Sequence, residues 1–316
     1  MSDTPPPPGT NRRSITPAGS ASPRFLSIMI AVYTTVTTTS TDPNRAYWEA
    51  VGRDERVAWE ELGCPPTGME QEWIADPAGS WLRPHCSSAG RVILAIHGGG
   101  FVSGSVTTHA HMFGHLSRAT GWPAFAVEYG LVPEHVFPSQ LNTAVAAYRW
   151  LLAGGATRIA VVGDSCGATL AVGLAARTRV EQLPMPAALV LVSAWTDFEA
   201  RGDSYATGSD PFFTRDVVRG LASDYLAGSD PHDPLTAPLF VEPRGLPPTY
   251  LQVGGEESLR DDSRALAERL RDGGVAVRLD EFPGQLHTFQ MAAGRTTVAD
   301  DAITRGARWL RSTLGG

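Results

Sequence analysis

The sequence predicts an α/β fold, with a mostly parallel central sheet flanked by helices. Three observations predict it. Short apolar runs at residues 92–96, 124–127, 158–162, 188–192, 249–253 and 275–281 alternate with stretches of helical periodicity. Within 140–152, Leu141, Val145, Tyr148 and Leu152 recur on one helical face, and Ile303, Ala307, Leu310 and Leu314 repeat that spacing near the C-terminus. Glycine-rich turns follow two of the apolar runs, as they do where a strand ends in a sharp change of direction. A chain of 316 residues, 42% of them hydrophobic, can bury one large core, so a single domain absorbs this length.

Taken in order, residues 1–42 differ in kind from the rest. Pro5 to Pro8, the Ser/Thr/Pro-rich stretch to Pro23 and the threonine run from Thr34 to Thr41 cannot form a packed core. They are expected to be a disordered extension, with the folded domain over residues 43–316. Between them lies Phe25-Leu26-Ser27-Ile28-Met29-Ile30-Ala31-Val32-Tyr33, preceded by Arg12, Arg13 and Arg24. One reading is a secretory signal, yet small-x-small cleavage residues are absent after it and the run is far too short to span a bilayer. The favoured reading is an extension, or translation beginning near Met29, and a cytoplasmic location. Secretion is the alternative if residues 12–33 act as a signal.

Residues 42–62 read as a helix with Tyr47, Val51, Ala58 and Leu62 as apolar positions, and 72–82 as a hairpin turning over 77–79. The alternation then runs on until Trp195. From there to Pro247 it is interrupted by a segment rich in Gly, Asp, Pro and aromatics, with a helix expected over 214–226. A long insertion in a compact domain is often a lid or binding loop.

The chemistry concentrates at three turns. Arg158-Ile159-Ala160-Val161-Val162 reads as a strand, and Gly163-Asp164-Ser165-Cys166-Gly167 follows it into a helix. The two glycines let strand and helix approach closely, holding one serine at the apex of a strained turn. Upstream, Val92-Ile93-Leu94-Ala95-Ile96 ends in His97-Gly98-Gly99-Gly100-Phe101, where the main chain can approach a ligand with its amides unobstructed. The N–H groups of Gly99, Gly100 and Cys166 are the candidate oxyanion donors, with His97 and Gly98 supporting the loop. A phosphate loop would want Gly-x-Gly-x-x-Gly or a following Lys-Ser/Thr, and neither is present. The base should come late, after an acid, and Pro283-Gly284-Gln285-Leu286-His287 carries one histidine behind the strand at 275–281. Gly254-Gly255-Glu256-Glu257-Ser258-Leu259-Arg260-Asp261-Asp262 holds four carboxylates. Asp261 and Asp262 fall in the first turn of a helix, where acids suit the dipole. Glu257 is preferred, with Glu256 in reserve.

These turns carry a resemblance. His97-Gly98-Gly99-Gly100-Phe101, Tyr129-Gly130-Leu131-Val132-Pro133-Glu134-His135-Val136-Phe137-Pro138, Gly163-Asp164-Ser165-Cys166-Gly167 and Glu257-Ser258-Leu259 resemble, in order, four motifs of the hormone-sensitive-lipase-like (family IV) carboxylesterases of the α/β-hydrolase superfamily. The similarity covers most of residues 68–315. It implies an α/β-hydrolase fold with a helical cap, drawn from about 43–66 and 196–247, and a Ser165, Glu257, His287 triad. Phe101, Trp195, Phe198, Tyr205, Phe212 and Phe213 become candidates for lining a pocket under that cap. Four departures stand out: Glu257 replaces the commoner Asp, Cys166 replaces Ala, Gly130 replaces Arg, and Thr288 stands where the family usually has Gly. They bear on substrate preference and leave every catalytic group in place.

Composition agrees. Net charge of −7 and a pI near 5.6 argue against a nucleic-acid partner. Cys64, Cys86 and Cys166 show neither a disulfide framework nor a zinc spacing, which fits a reducing compartment. His111 and His115 stand four apart, but Met112 occupies the position where a metalloprotease needs Glu, so no metal is expected. The expected function is a serine hydrolase cleaving esters of small or medium acyl groups, lactones included, without cofactor. Its partner would be a small-molecule ester, with no stable membrane insertion and a homodimer left open. An amide deacetylase is the alternative, and a non-catalytic small-molecule receptor a more distant one.

Overall fold

The apolar runs assemble into one eight-stranded sheet in the computed structural model, which describes Trp59 and residues 62–87, 90–207, 210 and 213–315. The strands are β1 (Met69–Ala75), β2 (Ala78–Pro84), β3 (Arg91–Ile96), β4 (Ala124–Val127), β5 (Arg158–Asp164), β6 (Ala188–Val192), β7 (Thr249–Gly254) and β8 (Val277–Phe282). Their order is β1-β2-β4-β3-β5-β6-β7-β8. β2 pairs antiparallel with β1 and with β4, and every other neighbouring pair is parallel.

Two boundaries differ from expectation, each for a local reason. The hairpin turns at Asp76 and Pro77, because Gly79 already pairs with Val127 across β2 and β4. There a Cβ would sit 2.5 Å from the Ala126 carbonyl oxygen, so the strand needs its glycine. β8 starts at Val277 because the Val275 N–H is spent on the Leu270 carbonyl, 3.0 Å away at the end of the preceding helix.

The helices are α1 (Val106–Thr120), α2 (Ser139–Ala153), α3 (Cys166–Val180), α4 (Ser204–Thr207), α5 (Arg215–Leu226), α6 (Arg260–Asp272) and α7 (Thr297–Leu314). They cover both faces of the sheet, which is why the strands read as unbroken apolar runs rather than alternating ones. One face packs Ile93, Ala95, Ala160 and Val162 against Met112, Phe113 and Leu116 of α1 and Ile303, Ala307 and Leu310 of α7. The other packs Leu94, Ile96 and Val161 against Leu141 of α2, Leu170 of α3 and Leu266 of α6. The stripe predicted on α2 holds for Leu141, Val145 and Tyr148, and Leu151 rather than Leu152 completes it.

The strand order reverses at β3, with β4 on one side and β5 on the other. A doubly wound sheet opens a crevice at such a switch point, beyond the carboxyl ends of the strands. Both glycine-rich turns leave the sheet there, since Ile96 is registered with Gly163. The expected extension over 1–42 lies outside the described residues. So do the predicted helix over 42–62, apart from Trp59 and Leu62, and most of the cap segment expected over 43–66. No described helix is long and apolar enough to cross a membrane.

α3 passes its neighbours at backbone contact. A Cβ on Gly167 would lie 2.1 Å from the Ile96 carbonyl oxygen, and one on Gly163 would lie 2.3 Å from that of Gly167. Gly167→Ala is therefore expected to destabilise by about 3 kcal/mol or more. Gly306→Ala in α7, where the new Cβ meets nothing nearer than 3.6 Å, is expected to be neutral or to stabilise by up to about 1 kcal/mol. Thermal unfolding of the two variants beside the parent checks the contrast, and equal melting temperatures would refute it.

Candidate active site

Ser165 stands between β5 and α3 with φ 52° and ψ −121°, a backbone state in which a side chain other than glycine is strained. The turn is held from several sides. The Ser165 N–H donates to Val192 O at 2.8 Å, and the Ser165 carbonyl accepts from the amides of Ala168 at 3.1 Å and Trp195 at 3.3 Å. These three bonds hold the strained turn in place.

The loop after β3 wraps beside it. Gly99 has φ 116°, Gly100 φ 61° and Phe101 φ 66°, and the Gly99 carbonyl accepts from Val102 N at 3.1 Å and Ser103 N at 2.9 Å. A Cβ on Gly99 would fall 2.2 Å from the Ser103 carbonyl oxygen, so this turn admits only glycine. Cys166 opens α3, and its N–H is one of the amides that a helix start leaves without an intrahelical partner. From below, the Tyr129 hydroxyl donates to His97 O at 2.7 Å, and its ring stacks on His97 with centroids 4.1 Å apart. Burial drives the His97 pKa down to about 3, so its imidazole is neutral, and its Nδ1 donates to the Gly98 carbonyl at 2.8 Å.

Cys166 is more than a filler in place of Ala. Its Sγ accepts the Phe101 N–H at 3.3 Å, joining the loop to the elbow. Burial pushes the thiol pKa up to about 12, although hydrogen bonds from Tyr129 and from the Phe101 and Gly100 amides oppose the rise. A thiol so held stays protonated and unreactive.

His287 and Glu257 stand on the loops after β8 and β7 respectively. Glu257 is fully buried, whereas Glu256 is exposed. Glu257 Oε2 accepts from Ser193 Oγ at 2.8 Å and from Gly254 N at 2.9 Å, and Oε1 faces His287 Nδ1 at 3.5 Å. That last contact is long for a hydrogen bond, as such contacts often are before substrate binds. Burial alone would lower the His287 pKa. The hydrogen bond and charge of Glu257, helped by the charges of Asp210 and Asp164, outweigh it and hold the ring above its ordinary 6.5. Ser193 Oγ also accepts the Thr288 N–H at 3.0 Å, pinning the residue after His287.

The aromatic candidates divide. Phe101, Trp195 and Phe198 are buried in the main core; Phe101 stacks on Tyr225 at 3.6 Å and lies 5.7 Å from Trp195, which meets Phe198 edge-on at 4.8 Å. Phe213 presents its edge to His287 at 4.6 Å. Tyr205 instead donates to Asp262 at 3.0 Å. Phe212 lies outside the described residues. The predicted helix within the interrupting segment is α5, and its Leu221 side chain occupies the space that a Cβ on Gly100 would enter.

Sequence reasoning missed four participants: Ser193, Tyr129, Asp164 and His109. Asp164 was visible inside the elbow motif, but its target, the Gly98 N–H at 3.0 Å, is 66 residues away. The histidines at 111 and 115 drew notice for their spacing, and His115 Nε2 donates to Cys64 O at 2.9 Å. His109, in the same run, contacts Asp164 of the elbow.

A family model described as an α/β hydrolase fold matches residues 93–291. An acetyl-hydrolase of Streptomyces hygroscopicus is 36% identical over 262 residues, covering 82% of this chain and 87% of that protein. An ethyl acetate hydrolase of Pseudomonas putida is 32% identical, covering 72% and 74% respectively. Among solved structures, an esterase from the bacterial hormone-sensitive lipase family superposes with a TM-score of 0.83 at 33% identity, over 92% of this chain and 97% of that one.

Thr288, next to His287, sits at φ 50° and ψ 35°, where a β-branched residue is strained. Relief of roughly 1–2 kcal/mol on Thr288→Gly would be partly offset by about 0.5–1 kcal/mol of added unfolded-chain entropy. The variant is expected to melt roughly 1–3 °C higher. Calorimetry checks this, and a lower melting temperature would count against the strain argument.

Proposed function

Because the chain belongs to the α/β-hydrolase fold family, among its hormone-sensitive-lipase-like carboxylesterases, we propose that it hydrolyses esters through an acyl-enzyme on Ser165. In this reading His287 is the general base, Glu257 orients it, and Gly99, Gly100 and Cys166 donate amides to the oxyanion. The observation that carries the reading is the elbow itself: a serine held at φ 52° between β5 and α3, beside a loop whose glycines turn at positive φ.

Ser165 Oγ attacks the ester carbonyl carbon as its proton passes to His287. Glu257 engages Nδ1, which leaves Nε2 for the serine and stabilises the imidazolium that forms. Charge developing on the carbonyl oxygen is received by the three amides; losing one such donor typically costs on the order of 10²–10³ in kcat. His287 returns the proton to the departing alcohol. Water then repeats the sequence on the acyl-enzyme and releases the acid.

Substrates of small or medium acyl length, lactones among them, suit the site. Phe101, Trp195, Phe198 and Tyr225 pack on one another beside the elbow, which favours short acyl groups. The segment 196–247 serves as a cap, with Leu221, Tyr225 and Phe213 over the loop and base. The Streptomyces relative is named for the acetyl group rather than for the bond cleaved, and this favours a second reading, an acetyl amide as substrate.

Hydrolysis of p-nitrophenyl esters with two to twelve acyl carbons is expected to be fastest at the short end. Ser165→Ala should be slower by a factor of about 10³ or more. Parent-like turnover by that variant would sink the nucleophile assignment, and faster cleavage of p-nitroacetanilide than of the acetate ester would favour the amide reading. Glu257→Gln should lose activity while Glu256→Gln retains it.

The base must be neutral to act, so kcat/KM is expected to fall as pH drops through a value above 6.5. Glu257→Gln removes the main support of the charged ring, so its residual activity should show that limb at lower pH. A limb unmoved by the substitution would argue that Glu257 does not orient the base.

A further inference from the structure

Two buried ionisable groups take no part in those proton transfers. They are Asp164, between Gly163 and the nucleophile, and His109, in the first turn of α1. Each side chain is 2% exposed, and His109 Nε2 lies 3.2 Å from Asp164 Oδ2. The other carboxyl oxygen, Oδ1, accepts the Gly98 N–H at 3.0 Å. A Cβ on Gly98 would lie 2.3 Å from Oδ2, so the carboxyl is pressed against the backbone of the oxyanion loop.

The ring is set from its far side. His109 Nδ1 lies 2.8 Å from Thr108 Oγ1 and 3.3 Å from the Ser105 carbonyl, within the capping box that starts α1. The Thr108 hydroxyl donates to the Ser105 carbonyl at 2.9 Å, and a carboxylate can only accept, so the Asp164 contact calls for a ring proton on Nε2. Trp59 and Phe113 flank the imidazole at 5.5 and 5.8 Å. The contacts form one line from the rigid start of a helix, through an imidazole and a carboxyl, to a single loop amide. A buried carboxyl with one oxygen unpartnered would be costly and free to turn; a donor on Oδ2 both satisfies it and fixes its plane.

We propose that His109 is a positioning residue: through Asp164 it fixes Gly98, and thereby the aim of the Gly99 and Gly100 amides. The proposal rests on the reading of those amides as oxyanion donors. Amides that receive developing charge lose most of their effect when displaced by a fraction of an ångström.

The test compares His109→Gln, whose amide nitrogen can reach Asp164, with His109→Asn, which is too short. Kinetics with p-nitrophenyl acetate are measured beside the Ki of phenylboronic acid, whose adduct on Ser165 places an oxygen in the oxyanion position. His109→Asn is expected to lose about 10- to 100-fold in kcat, and as much in boronate affinity, with KM within about 2-fold. His109→Gln should stay within about 3-fold of the parent in both. Parent-like kcat in His109→Asn overturns the proposal. So does equal loss in the two variants, or a fall in kcat that leaves the boronate Ki unchanged. A measurement on the parent stands if neither variant folds: nitrogen-15 histidine spectra should show a proton on His109 Nε2 protected from exchange, and its absence overturns the assignment. Failure of the underlying reading looks different, since Ser165→Ala would then be fully active whatever His109 does.

Discussion

Everything at the reaction centre depends on how closely two backbones approach. The end of β3 and the start of α3 meet backbone to backbone at Gly167, while Gly163 lets the elbow close on itself and Gly98 leaves room for the Asp164 carboxyl. A methyl group at any of these would overlap a neighbour by more than an ångström against ordinary contact at 3.4–4 Å. Because the sheet places β3 and β5 side by side in register, that approach happens at the point where strand order reverses. The crevice is thus a consequence of topology, and the glycines allow the main chain itself to line it.

Around this contact the polar groups are arranged so that each has more than one task. Ser193 donates to Glu257 and accepts from Thr288, so one hydroxyl sets both Glu257 and the residue after His287. Tyr129 bonds the His97 carbonyl and stacks on the His97 ring. Glu257 carries an extra methylene relative to the Asp usual in this resemblance, and its Oε2 is held by Ser193 and the Gly254 amide while Oε1 stays with His287. The longer side chain is accommodated because one of its oxygens is fixed.

Much of this was legible in the residues alone, and what was not has a physical cause. Strands that are apolar throughout announce themselves as short unbroken runs and helices through a stripe of period 3.6, and both signals are local. The order of Ser165, Glu257 and His287 along the chain is likewise a one-dimensional fact. Partnerships across the fold are not: the contacts of Asp164 with Gly98 and His109 join residues 66 and 55 positions apart. Nothing in the run from His109 to His115 distinguishes the histidine that contacts Asp164 from the two whose spacing suggests a metal. Edges were misplaced where a neighbour claimed a backbone group first, as Leu270 claims the amide of Val275.

Cys166 gives the chain a chemical address book. Its thiol, wholly buried and held protonated, is deaf to electrophiles in the native fold, whereas Cys86 lies exposed and Cys64 half-buried. A serine-directed phosphonate and a thiol-directed maleimide would therefore mark different surfaces of one folded molecule without interference. The third cysteine becomes reactive only when the elbow and the glycine loop come apart, so the sulfur that joins them is also a reporter of their separation.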